Sequence, residues 1–294
     1  MTLQTKTLLT ISLALGCLLL VTHQIASTLW LGSFAELERN FALRDLERAR
    51  GSLINEFEHL SDLAKDWSSW DDTYAFVVDA DPAYIDANIS DTSFLNLGIN
   101  LIVVLDRSGR AVYQQGFDLE RKVRIPVPDS LLARLGPNSV FLTDAAGRCG
   151  AVCLPEGTLA VAARPILTSR HEGPDRGRMV FARFLDAGFL ASLSRRARLE
   201  IELLRRDAAD APAEARAIFA LPAAAGGPQV AVLDEERIVC HALFVDAEDL
   251  PDLLLRVVLP REVWRHGRAG RTWLLAGLVA AGLVFSVAVL ALLH

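Results

Sequence analysis

The sequence predicts an α+β fold, and three features of its pattern support that prediction. Between residues 33 and 67, apolar residues recur every three or four positions, which is the spacing of one face of a helix. From Ile99 onward the pattern changes to short β-branched runs bounded by turn residues, as is typical of strands. A long helix followed by antiparallel strands and short helices indicates the α+β class.

Two long uncharged stretches bracket the chain. Residues 7–31 and 272–294 contain no Lys, Arg, Asp or Glu, and about 20 apolar residues suffice to cross a bilayer as a helix. We therefore expect a cytoplasmic tail at 1–6, transmembrane helices at 7–31 and 272–294, and an exported region at 32–271. A cleaved signal peptide is the alternative for the first stretch, but the stretch is longer than the usual apolar region of roughly 7–15 residues.

The region between the two stretches is acidic. Only Lys6 of the 30 Lys and Arg residues lies outside it, so it holds 29 of them against 36 Asp and Glu, a net charge of −7. An acidic surface disfavours nucleic acid as a partner. Neither an esterase elbow, a His-Glu-x-x-His motif nor a phosphate-binding loop occurs in the sequence. We expect no catalytic activity, no metal and no cofactor.

The helical pattern between Ser33 and Trp67 has a single apolar face. A helix of this length extends roughly 50 Å, and it would continue directly from the first crossing. That face either packs on its own domain or pairs two copies as a dimeric stalk, and the two arrangements are compatible. Its residues are Ala42, Leu46, Ala49, Leu53, Phe57, Leu60, Ala64 and Trp67.

The strand patterns begin with a hairpin. The strand Ile99–Leu105 is followed by the turn Asp106–Gly109 and by a second strand at 110–115. Asp186 is a candidate N-cap for a helix that ends at Arg196. The remaining predictions are a loop region around Pro126, Pro128 and Pro137, strands at 158–166 and 178–184 around a polar loop at 167–177, a loop at 207–216, strands at 229–233, 238–244 and 253–259, and a helix from Pro260 that leads into the second crossing.

Two cysteines lie close together in the exported region. Cys149 and Cys153 are four residues apart, and such a pair in an oxidising compartment can close a small disulfide. A reduced pair in an ordinary loop is the alternative, and the sequence leaves both open.

Aromatic and acidic residues concentrate between Trp67 and Tyr74. If this segment is helical, Trp67, Asp71 and Tyr74 share one face. Indole and phenol groups beside a carboxylate can line a pocket for a small polar or cationic ligand. The alternative is that Trp67 and Trp70 belong to the core and that Asp71 caps a neighbouring element.

Several blocks of sequence occur in the order typical of one family. They resemble the fourth class of CHASE domain, a group of exported sensory modules of bacterial histidine kinases and of cyclic-di-GMP synthases and phosphodiesterases. The resemblance covers about residues 36–198. The blocks are Trp70-Asp71-Asp72-x-Tyr74, Asp81-Pro82-x-Tyr84, Asn88, Leu97-Gly98-Ile99-Asn100, Asp106-x-x-Gly109, Arg164-Pro165-Ile166-Leu167-Thr168, Gly173-Pro174-x-Arg176-Gly177 and Arg183-Phe184-Leu185-Asp186.

The resemblance implies a PAS/Cache-like antiparallel sheet on a long stalk helix, flanked by two transmembrane helices. It places a sensory domain at 32–198 and a strand-rich continuation at 199–271, both in the periplasm, with both termini in the cytoplasm of a bacterial inner-membrane homodimer. Ligand-driven helix movement would reach a cytoplasmic kinase or cyclic-di-GMP enzyme. The sequence contains no such output motif, so we expect a fragment or a stand-alone receptor.

The candidate ligand-binding residues include one strand arginine. Arg164 could bind a carboxylate or phosphate bidentately, or it could pair with Asp71 or Asp72. Asn100 could instead satisfy backbone groups at a strand start. The ligand would be an unidentified small molecule. A membrane-anchored adaptor that binds another protein is the alternative function. The full candidate set is Trp67, Trp70, Asp71, Tyr74, Asn100, Tyr113 and Arg164.

Overall fold

The computed structural model describes residues 3–209, 211–221 and 227–293 of the chain. Its helices are α1 (Leu3–Ser68), α2 (Asp71–Asp79), α3 (Pro82–Asn88), α4 (Asp91–Leu97), α5 (Asp129–Arg134), α6 (Val140–Thr143), α7 (Ala187–Ala197), α8 (Ala213–Phe219) and α9 (Glu262–Leu293). Its strands are β1 (Leu101–Asp106), β2 (Ala111–Asp118), β3 (Val123–Ile125), β4 (Arg148–Leu154), β5 (Gly157–Pro165), β6 (Gly177–Phe184), β7 (Glu200–Arg205), β8 (Gln229–Val232), β9 (Arg237–Phe244) and β10 (Leu253–Pro260).

Helix α1 confirms the predicted helix and its apolar face. All eight residues of that face are buried, and Trp67, at 8% exposure, is the most accessible of them. The helix is longer than the predicted segment because it begins at Leu3, and it ends at Ser68. The hydroxyls of Ser68 and Ser69 donate to the carbonyl of Lys65 at 2.9 and 2.8 Å.

A six-stranded antiparallel sheet follows, with strand order β3-β2-β1-β6-β5-β4. Strand β1 lies in its middle, where Leu101 is opposite Gly116 of β2 and Ala182 of β6. The predicted strands at 99–105, 110–115, 158–166 and 178–184 are confirmed as β1, β2, β5 and β6, with ends shifted by one to three residues.

Alternation along the central strands gives this sheet two apolar faces. One face carries Leu101 and Val180 and packs against Leu131 of α5 and Phe141 of α6. The opposite face carries Phe181, and the ring of Trp67 at the end of α1 packs edge-on against it, with centroids 5.6 Å apart. The end of helix α1 therefore packs on the face of the sheet opposite α5 and α6.

Several short elements were not predicted. The segment treated as a loop around Pro126 to Pro137 contains β3, α5 and α6, and Cys149 and Cys153 lie on β4 instead of in a loop. Strand β7 was also missed, and the predicted loop at 207–216 contains the start of α8. Residue 210 of that loop lies outside the described residues.

A second antiparallel sheet has strand order β7-β10-β9-β8. The predicted strands at 229–233, 238–244 and 253–259 are confirmed as β8, β9 and β10. One face of this sheet packs against α8, where Leu254 contacts Ala215, Ile218 and Phe219. The helix predicted after Asp186 is confirmed as α7, and the Asp186 carboxylate accepts a hydrogen bond from the amide of Phe189 at 2.8 Å.

The described chain divides into two compact units. The sheet unit comprises 46–229 and 241–257, and the helical unit comprises 1–45, 230–240 and 258–294. Within the helical unit, α1 and α9 run side by side in opposite directions. A Cβ atom added to Gly267 would lie 2.7 Å from the ring of Phe34, and one added to Gly282 would lie 2.9 Å from Leu19. The two contacts are 15 residues apart on each helix, which fixes an antiparallel register.

In the part of the chain that the structure describes, no helix has the combined length and apolarity needed to span a membrane. The structure therefore gives no support to the crossings expected at 7–31 and 272–294. Residues 1 and 2 of the expected tail and residue 294 of the second crossing lie outside the described residues.

Candidate functional site

The aromatic and acidic segment is not one continuous helix. Helix α1 ends at Ser68, Trp70 has the extended backbone of an N-cap residue (φ −91°, ψ 138°), and α2 begins at Asp71. The condition under which Trp67, Asp71 and Tyr74 would share one helical face is therefore not met. The break instead stacks the rings of Trp67 and Trp70, with centroids 5.0 Å apart and planes 27° apart.

The loop at 167–177 folds over the start of α2. The carboxylate of Asp71 accepts hydrogen bonds from the amide of Ser169 at 2.9 Å and from its hydroxyl at 2.8 Å. These bonds, that of the backbone amide first, lower the pKa of Asp71. The hydroxyl of Tyr74 donates to the carbonyl of Pro174 at 3.1 Å. The polar groups of Asp71 and Tyr74 thus hold the loop in place.

The other three predicted residues lie at separate places. Arg164 donates to the hydroxyl of Ser61 at 2.7 Å and to the carbonyl of Ala146 at 2.6 Å, so the ion pair with Asp71 or Asp72 is not formed. Tyr113 on β2 packs edge-on against Phe76, with centroids 6.4 Å apart, and burial raises its pKa.

Asn100 joins the ends of two strands. Its amide nitrogen donates to the carbonyl of Phe117 at 3.0 Å, and its side-chain oxygen accepts from the amide of Phe184 at 3.0 Å. This is the arrangement expected of a residue that satisfies backbone groups at a strand start.

Cys149 and Cys153 are both free thiols. Of the two alternatives for this pair, the structure therefore has the reduced one. The residues lie on the same strand, four positions apart, so their Cα atoms are about 13 Å apart at about 3.3 Å per residue. A disulfide needs Cα atoms within about 7 Å, and an extended strand cannot provide that approach.

A cavity of about 300 Å³ opens at the end of the six-stranded sheet. It lies where β1 begins and β6 ends, between the turn that joins β2 to β3 and the first turns of α7. Of the seven predicted residues, Asn100 lines it. The cavity is bounded by Asn100, Asp118, Leu119, Glu120, Ile125, Arg183, Phe184, Asp186, Gly188, Phe189 and Ser192.

Arg183 supplies a partly buried cation to this cavity. Its guanidinium lies over the ring of Phe189, 4.7 Å from the centroid. The carboxylate within ion-pair distance is that of Glu56, at 3.9 Å, but Arg196 holds Glu56 more closely, at 2.7 Å. Burial lowers the pKa of Arg183, and the charges of Glu56 and Asp186 oppose this effect. The charge of Arg183 is therefore only weakly balanced by the protein itself.

Three carboxylates also line the cavity, and two are already engaged. Asp118 accepts hydrogen bonds from the amides of Glu120 and Arg121, both at 2.9 Å, and Asp186 caps α7. Among the described residues, the Glu120 carboxylate has no such partner. It lies against Gly188, where an added Cβ would be 3.2 Å from the Glu120 Oε1 atom.

This arrangement can bind two opposite charges on one small molecule. A guanidinium binds a carboxylate through parallel hydrogen bonds, a free carboxylate binds an ammonium group, and Phe189 supplies an apolar wall. Sequence reasoning missed Arg183, Glu120 and Phe189 as site residues. The one available signal was the position of Arg183 in the last block of the family resemblance.

Comparison with known proteins gives a family match, a relative of known name and matches to solved structures. A model described as the CHASE4 domain matches residues 52–204. The chain is 26% identical over 289 residues to the methanogenesis regulatory histidine kinase FilI of Methanothrix harundinacea (strain 6Ac), and the match covers 95% of this chain and 31% of FilI. The chain thus spans about a third of the length of that relative.

Two solved structures resemble the fold. The extracellular domain of vpHK1S-Z8, which is assigned as a histidine kinase, superposes with a TM-score of 0.52 at 14% identity, covering 79% of this chain and 98% of that domain. A domain of a protein assigned to the sensory box/GGDEF family, from Vibrio parahaemolyticus, superposes with a TM-score of 0.50 at 13% identity. This match covers 78% of this chain and 99% of that domain. At such identities the likeness shows the fold alone, an α+β fold with antiparallel sheets.

Proposed function

The chain belongs to the CHASE4 domain family, and from that membership we propose that it senses a small ligand for a transmembrane signalling receptor. The chain is a sensory input domain of the kind found in histidine kinases. In this proposal, ligand binding moves helices, and the movement reaches a cytoplasmic output domain, either a kinase or a cyclic-di-GMP enzyme. A ligand can drive such a change only if it binds one state better than the other.

The observation that carries the proposal is that Arg183 and Glu120 both line the cavity at the sheet end. A ligand with a carboxylate and an ammonium group would neutralise both at once, which explains why the protein leaves each of them poorly paired. Asn100 would act by fixing the ends of β2 and β6 beneath the ligand.

The remaining predicted residues have a different role in this proposal. Trp70, Asp71 and Tyr74 hold the loop at 167–177, which leads into β6 and hence to Arg183. Trp67 seats the end of α1 on the same strand. Tyr113 and Arg164 stabilise the sheet from β2 and β5. These residues would connect the cavity with α1 and are not assigned to contact the ligand.

The location of the domain is also part of the proposal. The uncharged runs at 7–31 and 272–294 favour two crossings of a bacterial inner membrane, with 32–271 in the periplasm and both termini in the cytoplasm. A homodimer is proposed from the family resemblance. Labelling intact cells with an impermeant maleimide tests the location, since Ser169→Cys should react and Lys6→Cys should not. The opposite pattern would rule out this topology.

The ligand proposal is tested by thermal unfolding of the purified chain. We expect stabilisation by zwitterionic α-amino acids and much less by the matched amines or carboxylic acids, since binding to the native state raises stability by mass action. Arg183→Gln and Glu120→Gln should each abolish this effect, and Arg121→Gln, an 82% exposed residue of the neighbouring turn, should not. Equal responses of Arg183→Gln and Arg121→Gln would contradict the assignment. A stable protein partner without any small-molecule response would favour the adaptor alternative.

A further inference from the structure

A second cavity lies within the helical unit, at the start of α9. It has a volume of about 330 Å³ and is bounded by the turn between β8 and β9, the end of β10 and the first turns of α9. Four arginines line it. The lining residues are Glu235, Glu236, Arg237, Pro260, Arg261, Trp264, Arg265 and Arg268.

Two of the four arginines already have close carboxylate partners. Arg261 donates from Nε and Nη2 to one oxygen of Glu38 at 3.1 and 3.0 Å, and its guanidinium lies 4.8 Å from the ring centroid of Trp264. Arg237 donates from Nε to Asp234 at 2.8 Å. These contacts fix the wall of the cavity, and each of the two guanidinium groups already has a carboxylate at hydrogen-bond distance.

The other two arginines are available. Among the described residues the guanidinium of Arg265 has no partner. Arg268 is 3.6 Å from Glu235, and the two side chains are 53% and 88% exposed, so this ion pair contributes little stability and exchanges easily. Residues three apart lie on the same side of a helix, so Arg265 and Arg268 can reach one anion together.

The position of the cavity along α9 indicates where that anion comes from. From Thr272 to Leu293 the helix contains no charged residue, and Trp273, one residue into that stretch, is 78% exposed. The arginines thus form the charged border of an apolar helical segment. At such a border, basic side chains meet the phosphate layer of a bilayer.

We propose that Arg265 and Arg268 bind the phosphate of an anionic phospholipid headgroup and so hold the start of α9 at the membrane surface. The phosphate replaces Glu235 as the partner of Arg268, and the exposed Glu235 side chain turns away into water. Guanidinium groups suit this role because their fork of donors matches phosphate oxygens. The inference rests on the proposed membrane location of α9.

The test uses the full chain in a mild detergent, with bound lipid counted by native mass spectrometry. Phosphatidylglycerol should bind about 30-fold more tightly than phosphatidylcholine, from a contribution of about fivefold per arginine near an anionic surface. Arg265→Gln together with Arg268→Gln should abolish this preference, and Arg170→Gln, an exposed arginine of the sheet unit, should retain it. If the double variant does not fold, each single variant should lower the preference about fivefold.

Two results would overturn the assignment. One is an unchanged preference for phosphatidylglycerol in the double variant. The other is binding of inorganic phosphate as tight as that of phosphatidylglycerol, which would make the cavity a site for a soluble ion. Failure of the membrane location is seen separately, as recovery of the chain in the soluble fraction of cells lysed without detergent.

Discussion

Asp71 and Ser169 are linked by two hydrogen bonds from one residue to one carboxylate, at 2.9 and 2.8 Å. The first residue opens α2 and the second lies in the loop that precedes β6. Arg176, near the end of the same loop, places its guanidinium 3.8 Å from the ring centroid of Tyr74. The loop is therefore fastened to α2 near both of its ends.

Removing the hydrogen bonds between Asp71 and Ser169 should release the loop at 167–177. We expect Asp71→Ala to increase amide hydrogen exchange in 167–172 while exchange in β1 stays unchanged. The pKa of Asp71 is lowered in the folded state, so its bonds are present above the pKa of the unfolded chain and are lost as pH falls through the folded pKa. Wild type at low pH should thus resemble the variant.

Asp106→Ala is the control, because Asp106 holds the β1–β2 turn through Ser108 and Arg110. Faster exchange at 167–172 in that control would contradict the local role of Asp71.

The sequence was informative wherever one local pattern decided the outcome. The apolar face of α1 follows from spacing alone, and the β1–β2 hairpin follows from a β-branched run and a turn with Gly109 at φ +84°. The end of α1 was predicted to within one residue, but the new start of α2 at Asp71 was not, because Ser-Ser-Trp contains no helix-breaking residue. A tertiary contact accompanies the break, since the amide of Leu167 donates to the carbonyl of Ser68 at 3.0 Å. Strand β4 was missed because its Cys, Gly and Ala residues have weak strand preference.

The cavity at the sheet end could not be predicted for a different reason. Arg183 and Glu120 come from segments far apart in sequence, and only the strand order β2-β1-β6 brings the two segments to one end of the sheet. Each residue by itself has the pattern of an ordinary exposed charge. What distinguishes them is the weak pairing that each has in the folded chain, which is a property of the assembled sheet.

The approach of Gly177 to Leu105 predicts a large effect of one methyl group. A Cβ at Gly177 would lie 1.8 Å from the carbonyl oxygen of Leu105, and the residue has φ +149°. Gly177→Ala should therefore lower the free energy of unfolding by about 2–4 kcal/mol, because β1 and β6 must separate locally. Gly51→Ala is the matched control. No atom lies within 4 Å of an added Cβ there, and alanine should stabilise the middle of α1 by roughly 0.5–1 kcal/mol. Urea unfolding of both variants measures the difference, and equal effects would contradict it.

His241 should make the stability of the fold depend on pH. It is 1% exposed, and neither ring nitrogen has a partner among the described residues. Burial first, and then Arg256, lowers its pKa from 6.5, and Glu214 and Glu202 oppose this change only in part. His241 therefore binds a proton more readily in the unfolded chain than in the folded chain. The stability that the fold gains from keeping His241 neutral is present above about pH 6.5, and it is lost as pH falls from there through the pKa of His241 in the folded chain.

The measurement for His241 is the urea midpoint at pH 7.5 and at pH 5.5. We expect a lower midpoint at pH 5.5 in the wild type and a smaller difference between the two in His241→Leu. His59→Leu is the control, because His59 is exposed on α1, and it should keep the wild-type difference. A pH response that is the same in both variants would show that other groups cause it.

The thiol of Cys153 should be slow to react. Burial raises its pKa to about 11, and burial likewise raises that of Cys240 to about 12. Because the thiolate is the reactive form, alkylation by iodoacetamide at pH 8 should be at least roughly tenfold slower in the native chain than in urea. Peptide mapping of the urea-unfolded chain without reductant should recover the peptide that contains Cys149 and Cys153 with both thiols alkylated. The same peptide without alkyl groups and lighter by two hydrogens would be an internal disulfide and would contradict the strand geometry of β4.

The ion pair between Glu38 and Arg261 should behave as a buried pair that joins α1 to the start of α9. The two side chains are 6% and 10% exposed, at a distance of 3.0 Å, and the second oxygen of Glu38 is buried with no hydrogen-bond partner among the described residues. Glu38→Ala leaves the Arg261 charge buried and should cost about 3–5 kcal/mol, whereas Glu38→Leu combined with Arg261→Met should recover most of that loss.

Glu47→Ala removes the exposed pair with Arg50, at 3.9 Å, and should cost at most about 0.5 kcal/mol. Unfolding of the detergent-purified chain, followed by helical circular dichroism, measures all three. If the Glu38 and Glu47 variants lost equal stability, the pair would be a surface contact, and it would contribute nothing particular to the coupling of α1 to α9.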